Sequence, residues 1–487
     1  MELCEIDAKV DAFVNLLVEQ DGNTNESVEA DNDNENETRS HALLVIIALP
    51  KHAQQPTSLP QKLLLPLSQT YYPSLRVPPC LYTEFYLLLF LISWTITKQL
   101  FSLLPHQFLY LEMVSEANTW LVMFLLFLAV NYTQHCVEGV PQVPCLFIFG
   151  DSLSDSGNNN ELPTSAKSNY RPYGIDFPTG PTGRFTNGRT EIDIITQLLG
   201  FENFIPPFAN TSGSDILKGV NYASGGAGIR NETGSHMGAI ISLGLQLTNH
   251  RLIVSQIANR LGSPDLARQY LEKCLYYVNI GSNDYMSNFF RPELYPTSRI
   301  YTLQQFGQSL IEELSLNLLD LHDIGARRYV LAGLGLIGCT PSVMHTHGTN
   351  GSCVEEENAA TFDFNIKLKA LVDQFNCRFS ANSKFIFINS GSKDLDIGHG
   401  FLISDAACCP SGCIPDQKPC NNRNDYVFWD EVHPTEALNL VNAIRAYNSA
   451  MDPTYTYPID IKQLVHCEIK REFEFTNEST SHLTATE

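Results

Sequence analysis

The chain reads as an α/β protein, three layers deep (α/β/α), with a central, mostly parallel sheet. Two observations predict this. Short, continuous apolar runs recur from about residue 142 onward: Val143–Gly150 (VPCLFIFG), Leu275–Gly281 (LYYVNIG), Arg328–Leu334 (RYVLAGL) and Lys384–Asn389 (KFIFIN). Strands that are apolar on both sides belong in a sheet covered on both faces. Between the runs lie helical patterns at Thr190–Leu199, Leu303–Ile324, Glu355–Phe379 and Thr435–Met451. Strands alternating with helices imply parallel pairing with right-handed crossovers. In open sheets of this kind, ligands bind beyond the carboxyl ends of the strands.

Composition narrows the classes. The chain has 487 residues, 44% hydrophobic and 17% charged, which excludes global disorder. Its net charge is −22 and no Lys/Arg run occurs, so a nucleic-acid partner is not expected. Part of the acidity is local, because residues 1–39 carry twelve acids against Lys9 and Arg39.

The first 139 residues have a different character. Residues 20–38 are polar, acidic and free of aromatics, and read as disordered. Residues 54–79 are rich in Pro, Ser and Leu, with no stable period. Two apolar stretches follow, Phe85–Ile96 and Trp120–Val130. Neither reaches the roughly 20 residues of a membrane-spanning helix. The second matches the apolar region of a secretory signal, about 7–15 residues long, and Met113 lies just before it. The expected organisation is an extension over 1–112, disordered or spurious, and a signal peptide over 113–139, with an internal membrane anchor as the alternative. A catalytic domain over 142–465 and a tail over 466–487 complete it. The mature protein is expected outside the cell, without stable membrane insertion.

The strand ends carry polar groups suited to chemistry. The first strand runs into Gly150-Asp151-Ser152-Leu153-Ser154-Asp155-Ser156-Gly157-Asn158-Asn159-Asn160. Ser152 is placed to face a cleft, although Ser and Asp here also suit a helix cap. The Leu275 strand ends in Gly281-Ser282-Asn283-Asp284, good turn chemistry that also offers a side-chain amide to the same cleft. Between them, Gly219–Gly228 is a small-residue loop whose backbone N–H groups can approach a ligand closely. It lacks the spacing of a phosphate-binding loop. Asp430-Glu431-Val432-His433-Pro434 stands before the last helical pattern. An Asp three residues from a His on a turn can fix the imidazole tautomer and leave its other nitrogen to take a proton from a serine. Alternatively, the pair is a surface feature of a helix start, with Pro434 at a favoured early position.

Taken together and in this order, the motifs resemble the SGNH hydrolase superfamily, and within it the plant GDSL esterase/lipase family. The similarity covers most of 143–465. It includes FIFGDSLSDSGNNN, RPYGIDFPTGPTGRFTNGRTEIDII (171–195), GVNYASGGAGI (219–229), VNIGSNDY (278–285), GLGLIGCTPS (333–342) and DEVHPTEA (430–437). The resemblance implies a flavodoxin-like sheet and hydrolysis of carboxylic esters through an acyl-enzyme. Ser152 would be the nucleophile, His433 the general base and then acid, and Asp430 the group orienting His433. The backbone N–H groups of Ser152 and Gly226 and the amide of Asn283 would form the oxyanion hole. Arg184 and Asn187 fall in a matching stretch and are assigned structural roles. No cofactor or metal is expected. The sequence lacks G-x-S-x-G, which disfavours an ordinary α/β-hydrolase lipase.

Transfer of the acyl group to another alcohol, or a non-catalytic binding glycoprotein on the same fold, are the alternatives. Thirteen cysteines, eight of them between 339 and 467, read as disulfides rather than a metal site in a secreted chain. Cys339–Cys353 and Cys408–Cys420 are the expected pairs. Asn210, Asn231 and Asn350 begin glycosylation sequons. His345-x-His347 is expected in a polar loop. The segment 236–250 is read as a packing helix in preference to an acyl groove.

Overall fold

A computed structural model describes residues 140–469 except 212, 350, 392–399 and 451. The readings for 1–112 and 113–139, the sequon residue Asn350 and the tail beyond 469 lie outside the described residues.

Four parallel strands form the centre: β1 (Leu146–Gly150), β2 (Leu275–Asn279), β3 (Arg328–Ala332) and β4 (Lys384–Ile388), paired in that order. They fall where the four apolar runs predict. β5 (Ile403–Ala407) and β6 (Tyr426–Phe428) form a separate parallel ribbon, and β7 (Thr456–Tyr457) closes one edge of the main sheet antiparallel to β4.

Segment 218–224 adds a further strand-like edge beyond β1. Leu146 N–H bonds to Lys218 O, Ile148 N–H to Val220 O, Tyr222 N–H to Ile148 O and Ser224 N–H to Gly150 O. The expected loop is therefore half strand. Gly219 permits it: its φ is +120°, and a Cβ there would sit 1.9 Å from Leu146 O. Counting this segment, the parallel order is the flavodoxin-like 2-1-3-4-5.

Alternating side chains supply two cores. Phe147, Phe149, Tyr276, Val278, Tyr329, Leu331, Phe385 and Phe387 point to one face. There they meet α2 (Leu243–Leu261), α3 (Pro264–Leu271), α4 (Leu303–Ile324) and α6 (Glu355–Arg378). Leu146, Ile148, Leu275, Tyr277, Val330, Ile386 and Ile388 point to the other. That face is covered by α1 (Glu191–Leu198), α7 (Glu436–Tyr447) and α8 (Ile461–His466). Both sides of every central strand are buried, which is the origin of the unbroken apolar runs.

Three local readings change. The helix expected from Thr435 to Met451 ends at Tyr447. His345 and His347 stand in α5 (Pro341–His347) rather than in a loop. Thr340 caps that helix with Pro341 at its first position, and Gly348 ends it in the left-handed region. Within 236–250, regular helix starts only after Ser242, where α2 buries Leu243, Leu247 and His250. No residue of that stretch lines the cavity beside Ser152.

Four disulfides join described residues: Cys145–Cys274, Cys339–Cys353, Cys408–Cys420 and Cys409–Cys413. The second and third are the expected pairs. No helix of the described residues is long and apolar enough to cross a membrane.

Candidate active site

β1 delivers Ser152 to the carboxyl edge of the sheet. Gly150 is required there by crowding, because a Cβ would lie 2.7 Å from Asn279 O on β2. The chain then turns on itself, with Ser154 and Asp155 N–H both bonded to Asp151 O.

The rest of the serine run holds the glycine segment beside it. Buried Asp155 accepts from Gly157 N–H (2.7 Å) and Asn158 N–H (2.8 Å) with one oxygen, and from Gly225 N–H (2.9 Å) with the other. Asn158 donates to Asn221 O and Ala223 O, and Asn159 donates to Gly225 O. Burial pushes the Asp155 carboxyl up to about 6, opposed by these three backbone donors and by the Arg184 charge.

His433 comes from the other end of the domain. Trp429 N–H bonds to His433 O at 2.7 Å, closing a tight turn before α7, which Thr435 caps. Within the turn, Asp430 Oδ1 accepts from the backbone N–H of Val432 (2.9 Å) and His433 (2.7 Å). His433 Nδ1 lies 2.9 and 2.8 Å from the two carboxylate oxygens, and its Nε2 lies 2.7 Å from Ser152 Oγ. The three expected residues are thus brought into one hydrogen-bonded line.

Electrostatics follow the geometry. Burial pulls the His433 imidazole down, but the charge and hydrogen bond of Asp430 and the charge of Asp151 outweigh it, so the net shift is upward. Burial raises Asp430, but the charge and hydrogen bond of His433 and the hydrogen bond of Tyr173 outweigh it, and its net shift is downward. Asp430 is therefore the ionised partner of a strengthened base.

Two contacts escaped the sequence reading. Tyr173 donates its hydroxyl to Asp430 Oδ2 at 2.6 Å. Burial and the nearby carboxylate push that phenol far up, so it stays a donor. Phe185 lays its ring 5.0 Å from the His433 ring. Both lie in the 171–195 motif, and that match is the only signal in the sequence that marks them. The same motif clamps the histidine turn. Thr186 Oγ1 donates to Pro434 O and Asn187 Oδ1 accepts Glu436 N–H. Arg184 makes a two-pronged contact with buried Asp193. These are the structural roles expected of Arg184 and Asn187.

Asn283 lines the same cavity as Ser152 and His433. It gives one amide hydrogen to Ala227 O at 3.0 Å, so its second remains. Gly226 does not line that cavity. It sits at φ +81°, one residue before the carbonyl that Asn283 holds. Among the described residues no group of three or more His, Cys, Asp or Glu is placed to hold a metal ion. His347 instead lies against Val343 O and Glu357.

Fold and site together define an α/β/α hydrolase of the SGNH kind. Residues 146–443 match the GDSL-like Lipase/Acylhydrolase family, and the chain belongs to that family. It is 44% identical to GDSL esterase/lipase At1g29670 of Arabidopsis thaliana over 72% of this chain and 99% of that protein. It is 46% identical to GDSL esterase/lipase At1g29660 of the same plant, over 67% of this chain and 93% of that one. With GDSL esterase/lipase At4g18970 the identity is 45%, over 69% and 96%. The chain is a GDSL-type serine hydrolase acting on ester bonds.

Proposed function

We propose that the protein is a secreted carboxylesterase/lipase that cleaves acyl esters through Ser152, His433 and Asp430 by way of an acyl-enzyme. The observation that carries this reading is the 2.7 Å contact from His433 Nε2 to Ser152 Oγ, backed by Asp430 on Nδ1. His433 takes the serine proton as Oγ attacks the ester carbonyl, and Asp430 stabilises the imidazolium that forms. The carbonyl oxygen becomes an oxyanion, met by the N–H of Ser152 and the second amide hydrogen of Asn283, the two expected donors that line the cavity. One such donor is typically worth about 2.7–4 kcal/mol of barrier. The imidazolium then protonates the leaving alcohol. In the second half, His433 removes a proton from water as it attacks the acyl carbonyl, then gives that proton to the departing Ser152 Oγ, releasing the carboxylic acid and the free enzyme.

Four disulfides support passage through an oxidising compartment. Asn210 and Asn231 are exposed, as glycosylated sequons must be. Fluorophosphonate labelling with peptide mapping tests the mechanism, alongside p-nitrophenyl ester hydrolysis by wild type and Ser152→Ala. The expected result is modification at Ser152 and loss of hydrolysis in the variant. Equal rates in the two proteins would remove Ser152 from the mechanism.

A further inference from the structure

A second cavity, an open groove of about 500 Å³, shares no residue with the one beside Ser152. Two proline-bearing stretches build it. Phe177 and Pro178 come from the 171–195 segment, and Phe204, Pro206 and Pro207 from the chain after α1. The two phenylalanine rings lie 5.4 Å apart. The Arg184 guanidinium sits 4.4 Å from the centre of Phe177 and 5.5 Å from that of Phe204. Arg184 is buried and paired with buried Asp193, so it brings no net charge to the groove.

Asn210 lines this groove and is exposed. It ends a single turn, Phe208–Asn210, in which its N–H bonds to Pro207 O and that of Thr211 to Phe208 O. Its side-chain amide has no hydrogen-bond partner among the described residues. The sequence there, Asn210-Thr211-Ser212, is a glycosylation sequon. Polar groups of the wall are also unsatisfied. Ser156 is 4% exposed and its Oγ is buried without a partner, as is Oδ1 of Asn160. Arg184 spends three of its five N–H groups on Asp193 and Thr182.

We propose that this groove is the seat of an N-linked sugar on Asn210. The N-acetylglucosamine next to the asparagine packs on Phe204 and the prolines, with its hydroxyl and acetamide groups toward Ser156, Asn160 and Arg184. The inference lies outside the ester chemistry and shares with the functional reading only the secretory route.

The chemistry of the wall selects this occupant. A pyranose ring offers C–H faces to aromatic and proline rings and hydroxyls at its edge. Hydroxyls donate and accept, so they suit an orphan serine oxygen, an amide oxygen and a spare guanidinium N–H alike. The group is neutral, as is the Arg184–Asp193 pair. A free sugar would hold weakly in so open a groove. One fixed to the wall binds intramolecularly, at an effective concentration of millimolar or above, so weak contacts suffice. Asn231 supplies the contrast: it is exposed and opens a sequon, but lines neither cavity.

The test uses the full chain expressed in plant cells under a mannosidase inhibitor, which keeps its sugars cleavable by endoglycosidase H. Release at Asn210 and Asn231 is followed by peptide mapping on native and on denatured protein. In the native protein, release at Asn210 is expected to be about tenfold slower than at Asn231, because cleavage follows the fraction of time the sugar is out of the groove. Denaturation should abolish the difference. Phe204→Ala should speed native release at Asn210 and leave Asn231 unchanged; the wild-type comparison stands whether or not that variant folds. A seat populated to this degree also stabilises the fold. Asn210→Gln is therefore expected to lower the melting midpoint by about 2–4 °C more than Asn231→Gln does. Equal native release rates, a difference that survives denaturation, equal midpoints in the two variants, or sugar on Asn231 with none on Asn210 would each overturn the seat and leave the secretory reading intact. Sugar on neither asparagine would overturn the seat and count against secretion, while a failed esterase assay would touch neither.

Discussion

Asp430→Asn is the most informative single change at the catalytic line, because the hydrogen bonds dictate how the new amide must sit. Asp430 Oδ1 accepts two backbone N–H groups, at 2.9 and 2.7 Å. An amide NH₂ in that place would face two donors, so the asparagine oxygen must stay there. Its NH₂ is then turned toward Tyr173 and His433 Nδ1. The Tyr173 oxygen can accept, but Nδ1 can accept only when it carries no proton. The amide in place of Oδ2 draws the imidazole proton onto Nε2, 2.7 Å from Ser152 Oγ, against the Oδ1 acceptor that remains 2.9 Å from Nδ1, and in that tautomer Nε2 cannot act as the base. The corresponding tautomer error in a serine protease costs about 10⁴ in kcat. At about 1.36 kcal/mol per tenfold, that is about 5.4 kcal/mol of barrier. The pH profile supplies a second readout. On the proposed mechanism His433 must be neutral to work, and its pKa is raised above the ordinary imidazole value, so kcat/KM is expected to fall as pH drops through that raised value. Without the Asp430 charge and hydrogen bond, burial dominates and the acid limb moves to lower pH. Kinetics on a p-nitrophenyl ester from acid to mildly alkaline pH measure both. A loss under about tenfold, or an acid limb moving upward, would refute this account of Asp430.

Tyr173→Phe removes the 2.6 Å bond to Asp430 Oδ2 but leaves the tautomer intact. It is expected to lower kcat far less than Asp430→Asn, and to lower stability by about 1.5–3 kcal/mol, the range for a hydrogen bond to a charged group. Urea unfolding checks this, and an unchanged midpoint would count against it. The paired disulfides Cys408–Cys420 and Cys409–Cys413 hold a loop whose Cys408 and Cys409 N–H groups bond to Phe428 O and Trp429 O, just before the Asp-His turn. Mild reductant should therefore lower activity before it lowers the circular dichroism of the domain; coincident loss would argue that the loop does not position His433.

Legibility in the sequence followed burial. β1 to β4 could be read because each strand is covered on both faces, so its interior residues had to be apolar, with Asn279, Arg328 and Lys384 only at strand ends. Ser152 and the Asp430-His433 pair sit on local patterns, a strand end and a three-residue turn, that each also suit a helix cap or helix start; only the ordered set of motifs singled them out. The 218–224 edge could not be read: its place is set by backbone bonds to β1 and by Asn158, and Gly219, Asn221 and Ser224 form no apolar run. The β5–β6 ribbon was equally hidden, since Ile403–Ala407 is largely exposed and carries neither period.

Tyr173 shows the deeper limit. It lies 257 residues from Asp430 in sequence, so no spacing rule can join them. Packing joins them instead. Tyr173 sits edge-on to Trp429, which directly precedes Asp430, and to Phe185, which lies along His433. Thr186 and Asn187 fasten the next residues of the same segment to Pro434 and Glu436. The 171–195 stretch thus holds the histidine turn at the acid, the ring and the helix start. A motif that supplies no nucleophile and no base still has a chemical reason to keep its residues: the Ser152–His433 distance depends on where this segment places the turn.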